Sequence, residues 1–274
     1  MHLVKTLDVQ GLFLSSGIEK DADQTTEKML SAVRLIRYKY NFKGYIHFKV
    51  LPGTSYELIK QASELADRMS INIEAPNKSI LSELSTCKDY QIDILKRQAW
   101  ISRLSKSQTT QIIVNNITTD KDILRMLKWE YVKLKLSRIY FSAFHPVKGT
   151  PLENEKAEKL SRQNHLYNVD FLIRKYNYSF KEIETSLVDG MLPSIDPKLA
   201  MARANFDKPI EINEASYEQL IRIPGIGPLT AMKITESRTK LKSFQDLYKF
   251  GGNTKRALPF VKINGNKQMT LRDY

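Results

Sequence analysis

The sequence predicts an α/β protein, with a partial, open β/α barrel of parallel strands followed by a small all-α domain. From Gly11 to about Phe144, short runs rich in β-branched and aromatic residues alternate with longer amphipathic stretches. After Pro146 the alternation stops, and from about Phe206 the segments are short, helical and basic. We therefore expect a barrel over residues 1–152, a helical connector over 153–205 and a C-terminal domain over 206–274.

Five apolar runs are the predicted strands. They are Gly11 to Leu14, Tyr45 to Val50, Met69 to Glu74, Gln111 to Val114 and Arg138 to Ala143. Helical patterns follow several of them, at Thr26 to Tyr38, Tyr56 to Arg68 and Asp120 to Tyr131, and one long helix is expected from Lys159 to Tyr176. This alternation is typical of a parallel sheet, and five units fit an open barrel better than a closed one.

Composition narrows the class of partner. The chain has 43 Lys+Arg against 30 Asp+Glu, a formal charge of +13, so a polyanion is favoured. A single cysteine, Cys87, excludes an internal disulfide framework and any metal or cluster site in this chain built from several thiolates. The sequence shows neither a signal-peptide pattern nor a run long and apolar enough to span a bilayer, so we expect a cytoplasmic protein without a membrane partner.

A proline- and glycine-rich turn, Ile223-Pro224-Gly225-Ile226-Gly227, separates two short helical patterns. We expect Asn213 to cap the first helix and Pro228 to occupy the first position of the second. Amide groups at such a turn, which is also a helix N-terminus, are positioned to bind phosphate. The expected donors are the amides of Gly225, Gly227, Leu229 and Thr230, and the side chains of Thr230 and Lys233 are expected to add contacts.

A weaker copy of this pattern follows. Leu220 and Ile223 recur as Leu247 and Phe250, Gly251-Gly252 takes the place of the turn, and Lys255 and Arg256 follow it. Ser243 and Asp246 have the spacing of a capping box. Six basic residues and one acidic residue lie between Arg238 and Arg256. A four-helix clamp on the DNA backbone requires two such hairpins.

This region resembles the helix-hairpin-helix family, which binds nucleic-acid backbone. The resemblance implies sequence-tolerant duplex binding by residues 206–274 and a set of contact residues: Gly225, Ile226, Gly227, Leu229, Thr230, Lys233, Lys255 and Arg256. It also predicts that Gly227→Val would strain the turn and block the phosphate. The alternative is an ordinary helical hairpin with a glycine-rich turn. Hairpins that contact the nucleic-acid backbone do not exclude RNA as the partner.

Polar residues recur at every second position in three predicted strands: His47 and Lys49, Asn72 and Glu74, Tyr140 and Ser142. Strands of a parallel sheet are normally buried on both faces, so these side chains are expected to line a barrel lumen. The alternative is that these strands are edge or solvated strands, or that the polar residues pair internally. No catalytic residue can be assigned from this pattern.

The order of the segments resembles the radical S-adenosylmethionine superfamily, and more narrowly its DNA modification or repair proteins associated with uracil-DNA glycosylases. The segments that carry the resemblance are Gly11 to Gly17, Gly44 to Lys49, Ala66 to Glu74, Gln108 to Gln111, Tyr140 to Phe144, His165 to Tyr167, Asp196 to Leu199 and the hairpin. By this resemblance, Ser15, Ser16 and Gly17 would contact the methionyl amine of S-adenosylmethionine, and Asn72 and Glu74 would lie near its ribose. Gln111 to Val114 and the loop Pro146 to Pro151 would flank its adenine.

The chain departs from that family in its cysteines. The family holds a 4Fe–4S cluster on a Cys-x3-Cys-x2-Cys loop after its first strand, whereas this chain starts at what resembles the second strand. We therefore expect no 4Fe–4S cluster and no metal in this chain, and Cys87 is interpreted as a buried or incidental thiol. S-adenosylmethionine remains a possible cofactor.

Two interpretations follow. In the first, the chain is the DNA-binding, barrel-bearing portion of a radical S-adenosylmethionine DNA modification or repair protein, inactive alone. Its partners would be DNA, a polypeptide that supplies the first strand and the cysteine motif, and a uracil-DNA glycosylase. In the second, the chain is a non-catalytic DNA-binding or scaffolding protein with a vestigial barrel. The strand Leu12 to Leu14 is expected to have an open edge, covered at most by residues 1–10, through which the chain self-associates or binds such a partner.

Overall fold

The computed structural model describes residues 9–237 and 240–266 and confirms the α/β fold class. The chain forms two compact units, and the division falls between Gln163 and Asn164. The first unit contains a five-stranded parallel half-barrel sheet with flanking helices, and the second is mainly helical.

The sheet of the first unit has its strands in chain order. They are β1 (Gly11–Leu14), β2 (Tyr45–Lys49), β3 (Arg68–Ser70), β4 (Gln108–Val114) and β5 (Arg138–Ala143). Each strand pairs with the next in parallel, and at least one helix lies between every two neighbouring strands. All five strands therefore lie where the apolar runs predicted them, and among the described residues β1 pairs with β2 alone.

The helices of the first unit follow the predicted pattern. They are α1 (Ala22–Arg34), α2 (Tyr56–Leu65), α3 (Lys78–Leu84), α4 (Lys96–Leu104) and α5 (Asp120–Val132), with π-helical segments at Leu35–Lys39 and Tyr90–Leu95. Side-chain caps fix where they begin: Asp21 accepts a hydrogen bond from the Gln24 amide, and Thr119 accepts one from the Asp122 amide.

One face of the sheet packs against these helices and forms the core. Ile46, Phe48 and Ile112 point into it from the strands, and Val33 and Ile59 from the helices, all with at most 1% of their surface exposed. Because side chains alternate along a strand, the residues at the alternate positions lie on the opposite face, and most of them are polar. The half-barrel thus has an apolar outer face and a polar inner face.

Strand β3 is shorter than predicted, since it ends at Ser70 and Asn72 and Glu74 lie beyond it. The hydroxyl of Thr110 donates to the Ile71 carbonyl and accepts from the Ile73 amide, which replaces the backbone ladder there. Glu74 has φ of 60° and rejoins β4 through backbone bonds to Gln111 and Ile113. The prediction that Asn72 and Glu74 share one face of a strand is therefore wrong.

The second unit begins within α6 (Leu160–Tyr176). It continues with α7 (Phe180–Glu184), α8 (Pro197–Asn205), β6 (Ile210–Glu211), α9 (Tyr217–Arg222), α10 (Pro228–Glu236), α11 (Phe244–Lys249), α12 (Thr254–Ala257), a 3-10 turn at Leu258–Phe260 and β7 (Val261–Lys262). The parallel pairing of β6 with β7 was not predicted, and it brings the two ends of the hairpin region together. A buried apolar cluster that includes Ile212, Leu220 and Leu247 holds α9 to α12.

No helix in the described ranges combines the length and the apolar character that a membrane crossing needs.

Candidate nucleic-acid interface

The first hairpin consists of α9 and α10. Ser216, and not Asn213, caps α9: its side chain accepts from the Gln219 amide, and Gln219 bonds back to the Ser216 amide as a capping box. Asn213 instead forms two hydrogen bonds with the backbone of Leu241, at 2.8 Å and 2.9 Å. The predicted cap was therefore wrong, because this asparagine is used in tertiary packing.

The turn between the helices depends on Gly225. Its φ is 87°, a left-handed conformation that favours glycine, and a Cβ atom there would lie 2.4 Å from the Asn253 carbonyl oxygen. Gly227 has an ordinary φ of −97°, and Pro228 opens α10 as predicted. The expectation that a side chain at Gly227 would strain the backbone is therefore wrong, since a Cβ atom there would have its nearest neighbour, the Tyr176 hydroxyl, at 3.8 Å.

The start of α10 presents unused backbone donors. Within the described residues, no acceptor bonds the amide N–H groups of Gly225, Gly227, Leu229 and Thr230. The amide of Ile226 differs, because it donates to the Ile223 carbonyl at 3.1 Å. Unpaired amides at the N-terminus of a helix attract an anion through both hydrogen bonding and the helix dipole.

The second hairpin consists of α11 and α12, and it packs directly against the first. The predicted capping box of Ser243 and Asp246 is present, and Gly251 adopts φ of 89° in the turn. The Asn253 amide donates to the Gly225 carbonyl at 2.8 Å, so the two turns are joined backbone to backbone. The close approach at Gly225 is what permits this contact.

The predicted contact residues differ in how much of their side chains is exposed. Lys233, Lys255 and Arg256 are exposed, and Leu229 has 71% of its surface exposed. Ile226 and Thr230 are buried, with 1% and 6% exposed, so their side chains belong to the packing of the two hairpins. At Thr230 only the backbone amide is available for a phosphate.

A cavity of about 250 Å³ adjoins the turn, and residues that the sequence did not single out for this site contribute to it. Lys198, at the start of α8, donates from Nζ to the Ile226 carbonyl at 2.6 Å, and its Nζ lies 4.8 Å from the Tyr176 ring. Burial lowers the pKa of Lys198 to about 8. Arg256 pairs with Asp196 at 3.0 Å in the same cavity.

The inner face of the half-barrel holds a second polar cavity, of about 230 Å³, that includes Phe13, His47, Asn72, Gln111 and Tyr140. His47 Nε2 lies 2.8 Å from the Ser70 hydroxyl. Burial, with Arg68 and Lys49 nearby, lowers the pKa of His47 to about 4, so this imidazole is neutral at pH 7. The cavity offers hydrogen-bond donors and acceptors together with one positive charge, that of Lys49.

Among the residues predicted to lie near the methionyl amine and the ribose of the cofactor, only Asn72 lies at the inner-face cavity. Asn72 contributes to the inner-face cavity, whereas Glu74 pairs with Lys88 at 3.5 Å. Ser15, Ser16 and Gly17 follow β1 in an exposed segment, and the Ser16 hydroxyl donates to the Gly17 carbonyl at 2.8 Å. None of Ser15, Ser16, Gly17 and Glu74 is among the residues that surround that cavity.

A third cavity, of about 330 Å³, lies at the carboxyl ends of β4 and β5 and includes Asn115, Ile117, Phe144 and Leu152. Asn115 is 3% exposed, and its Oδ1 accepts from the Thr118 hydroxyl at 2.6 Å. Its Nδ2 has no hydrogen-bond partner among the described residues. A buried donor without a partner is costly, which points to a ligand or water at this place.

No group of three His, Cys, Asp or Glu side chains in residues 9–237 and 240–266 is arranged to hold a metal ion. Cys87 is exposed, so of the two interpretations, a buried or an incidental thiol, the buried one was wrong.

The paired hairpins, with their unused amides and basic side chains, define a helix-hairpin-helix unit. Residues 206–252 match the family model of the helix-hairpin-helix motif. The match covers the first hairpin and continues through α11, and it supports nucleic-acid binding by this unit. No curated protein matches the chain.

Proposed function

We propose that the protein binds the backbone of DNA in a sequence-tolerant manner through its first hairpin. We also propose that its half-barrel is an S-adenosylmethionine-binding scaffold of a radical S-adenosylmethionine DNA modification or repair protein.

The observation that carries the DNA proposal is the set of unused amides at Gly225, Gly227 and Leu229 within a matched helix-hairpin-helix motif. Lys198 adds positive charge from α8 beside the N-terminus of α10, whose dipole also favours an anion, and Lys233 adds an exposed positive charge in the last turn of α10. Amide and lysine contacts of this kind recognise phosphate rather than base edges, so binding would position the protein without selecting a sequence.

The test uses the full chain and the variant Gly227→Val. Because φ at this position is ordinary and a Cβ atom meets no close neighbour, the variant should fold, and its isopropyl group would occupy the approach of the phosphate. We expect binding to a labelled duplex at low salt to weaken by about tenfold or more, because the hydrogen bonds between the turn and one charged phosphate are lost.

The matched control is Thr235→Val, which places the same side chain near the other end of α10. It should bind DNA like the parent chain. Equal affinity of Gly227→Val and the parent would show that the phosphate binds elsewhere, and no binding by the parent at low salt would reject the DNA proposal.

The barrel proposal is supported by the third cavity. Asn115 provides a buried, unpartnered amide donor beside the apolar side chains of Ile117, Phe144 and Leu152. A planar heteroaromatic ring with acceptor nitrogens, such as the adenine of S-adenosylmethionine, suits this combination. Asn115 directly follows Gln111 to Val114, and Leu152 directly follows Pro146 to Pro151, the two segments that the family resemblance associates with adenine.

A 4Fe–4S cluster does not fit the residues of this chain. Three thiolates are needed, and the whole sequence contains one cysteine. A radical reaction would therefore require a second polypeptide that carries the cysteine motif, and a uracil-DNA glycosylase is a further proposed partner. The single cysteine also favours the second candidate, a non-catalytic DNA-binding or scaffolding protein.

Isothermal titration with S-adenosylmethionine tests the barrel proposal without any reaction. The parent chain should bind it, and Asn115→Asp should weaken binding, because the buried donor becomes an acceptor while the bond from Thr118 is kept. Asn77→Asp is the control, since aspartate also caps α3. No binding by the parent would favour the scaffolding function.

A further inference from the structure

The cavity beside the hairpin turn extends beyond the phosphate site that it adjoins. Its volume is about 250 Å³, somewhat below the roughly 300–1,000 Å³ of typical small-molecule sites. It therefore has room for one group of the size of a nucleobase in addition to the contacts at the turn.

One wall of this cavity is aromatic. Phe171 and Tyr176, five residues apart on α6, have ring centroids 5.7 Å apart. The ammonium group of Lys198 lies 4.8 Å from the Tyr176 ring, whereas Phe171 has 48% of its surface exposed. An exposed phenylalanine beside a cationic site is the arrangement that proteins use to stack a base next to its phosphate.

Lys198 supplies most of the positive charge in the cavity. Arg256 is paired with Asp196, so the charges of these two side chains largely cancel. The ammonium group of Lys198 has three N–H donors, and among the described residues its hydrogen-bond acceptor is the Ile226 carbonyl. Donors of Lys198 thus remain for a ligand, immediately beside the amides of Gly225 and Gly227.

We propose that this cavity binds an unpaired nucleotide of DNA, with the base against Phe171 and the adjoining phosphate held by the turn and by Lys198. This inference rests on the proposed DNA-binding function and adds its substrate class. A paired base is stacked between its neighbours and cannot enter a cavity on a protein surface, whereas an unpaired base at a strand end enters at little cost. Stacking does not select a particular base, so the preference concerns DNA structure and not sequence.

The experiment compares three DNA duplexes, each closed at one end by a non-nucleotide linker that carries a fluorophore, so that each offers a single open end and no loop nucleotides. One end is blunt, one has a single-nucleotide 5′ overhang and one has a single-nucleotide 3′ overhang. Fluorescence anisotropy with the full chain should show about tenfold tighter binding to at least one overhang than to the blunt end, within the range measured for base–aromatic stacking. The two overhang arms show which strand end is bound.

Variants of Phe171 assign the preference to the cavity. Phe171→Ala should lose the preference and keep the affinity for the blunt end, whereas Phe171→Trp should retain the preference because the aromatic face is kept. Tyr248→Ala removes another exposed aromatic side chain of the same unit, outside the cavity, and should behave like the parent.

Equal affinity of the parent chain for all three ends overturns this inference and leaves the proposed DNA binding intact. A preference that persists in Phe171→Ala also overturns it. Absence of binding to every oligonucleotide rejects the proposed function itself.

Discussion

Glu130 is a fully buried carboxyl group in α5, and its environment predicts how the stability of the half-barrel depends on pH. Its exposed fraction is 0%, and burial raises its pKa to about 8, although a hydrogen bond from Gln98 Nε2 at 2.7 Å opposes the shift. In the described part of the chain, the Oε1 atoms of Gln98, Gln108 and Glu130 have no partner. A protonated Glu130 supplies a donor to this group of acceptors, whereas a charged one does not.

The sign and size of the effect follow from linkage. A carboxyl whose pKa is higher in the folded state contributes its stability below the unfolded value of 4.5, and that contribution is lost as the pH rises to about 8. His47 has the opposite effect between about pH 4 and 6.5, because its folded pKa is lowered. Between pH 6.5 and 8, Glu130 should therefore reduce the free energy of unfolding by at most about 1.4 kcal/mol per pH unit, and by less near pH 8, where the carboxyl is half ionised, so that the total is just under about 2 kcal/mol.

The perturbation is Glu130→Gln, which keeps the shape and supplies a neutral donor at every pH. We expect this variant to lack the decline between pH 6.5 and 8 and to exceed the parent in stability by about 2 kcal/mol more at pH 8 than at pH 6.5. Urea unfolding followed by tryptophan fluorescence is the assay, because both tryptophans, Trp100 and Trp129, lie in the first unit. The control Glu64→Gln removes an exposed carboxylate from the same unit and should follow the parent. Parallel stability profiles of the parent and Glu130→Gln would refute the argument.

Three further predictions concern the second unit and the cysteine. Gly225→Ala should destabilise the hairpins by at least about 1–3 kcal/mol, because φ is 87° and a Cβ atom would lie 2.4 Å from the Asn253 carbonyl oxygen; a lower melting temperature by circular dichroism checks this. Lys233→Gln should reduce the slope of log affinity against log salt concentration by about one, because one phosphate contact is lost. Fluorescence anisotropy on duplex DNA measures this slope, and an unchanged slope would show that Lys233 does not contact the DNA. Anaerobic reconstitution should give no stoichiometric iron and sulfide, because one cysteine cannot supply three thiolates.

Local sequence patterns determined the elements of this fold. Apolar runs located all five strands, and the proline and glycine positions located the turn at Gly225 and the start of α10 at Pro228. The capping box of Ser243 and Asp246 was equally visible. Each of these signals depends on residues within about one helical turn of one another, and the backbone preferences of proline, glycine and capping side chains act over that distance.

Tertiary structure decided which side chains meet. Thr110 replaces part of the β3 ladder, and Asn213 bonds the backbone of Leu241 and leaves the cap of α9 to Ser216. Lys198 and Phe171 reach the cavity beside the hairpin turn from helices that precede it in the chain. Periodicity cannot reveal such contacts, because they depend on how distant segments pack and on which buried polar atoms need a partner. The sequence by itself therefore determined that the chain has a half-barrel and a hairpin, whereas packing alone determined what surrounds the hairpin turn.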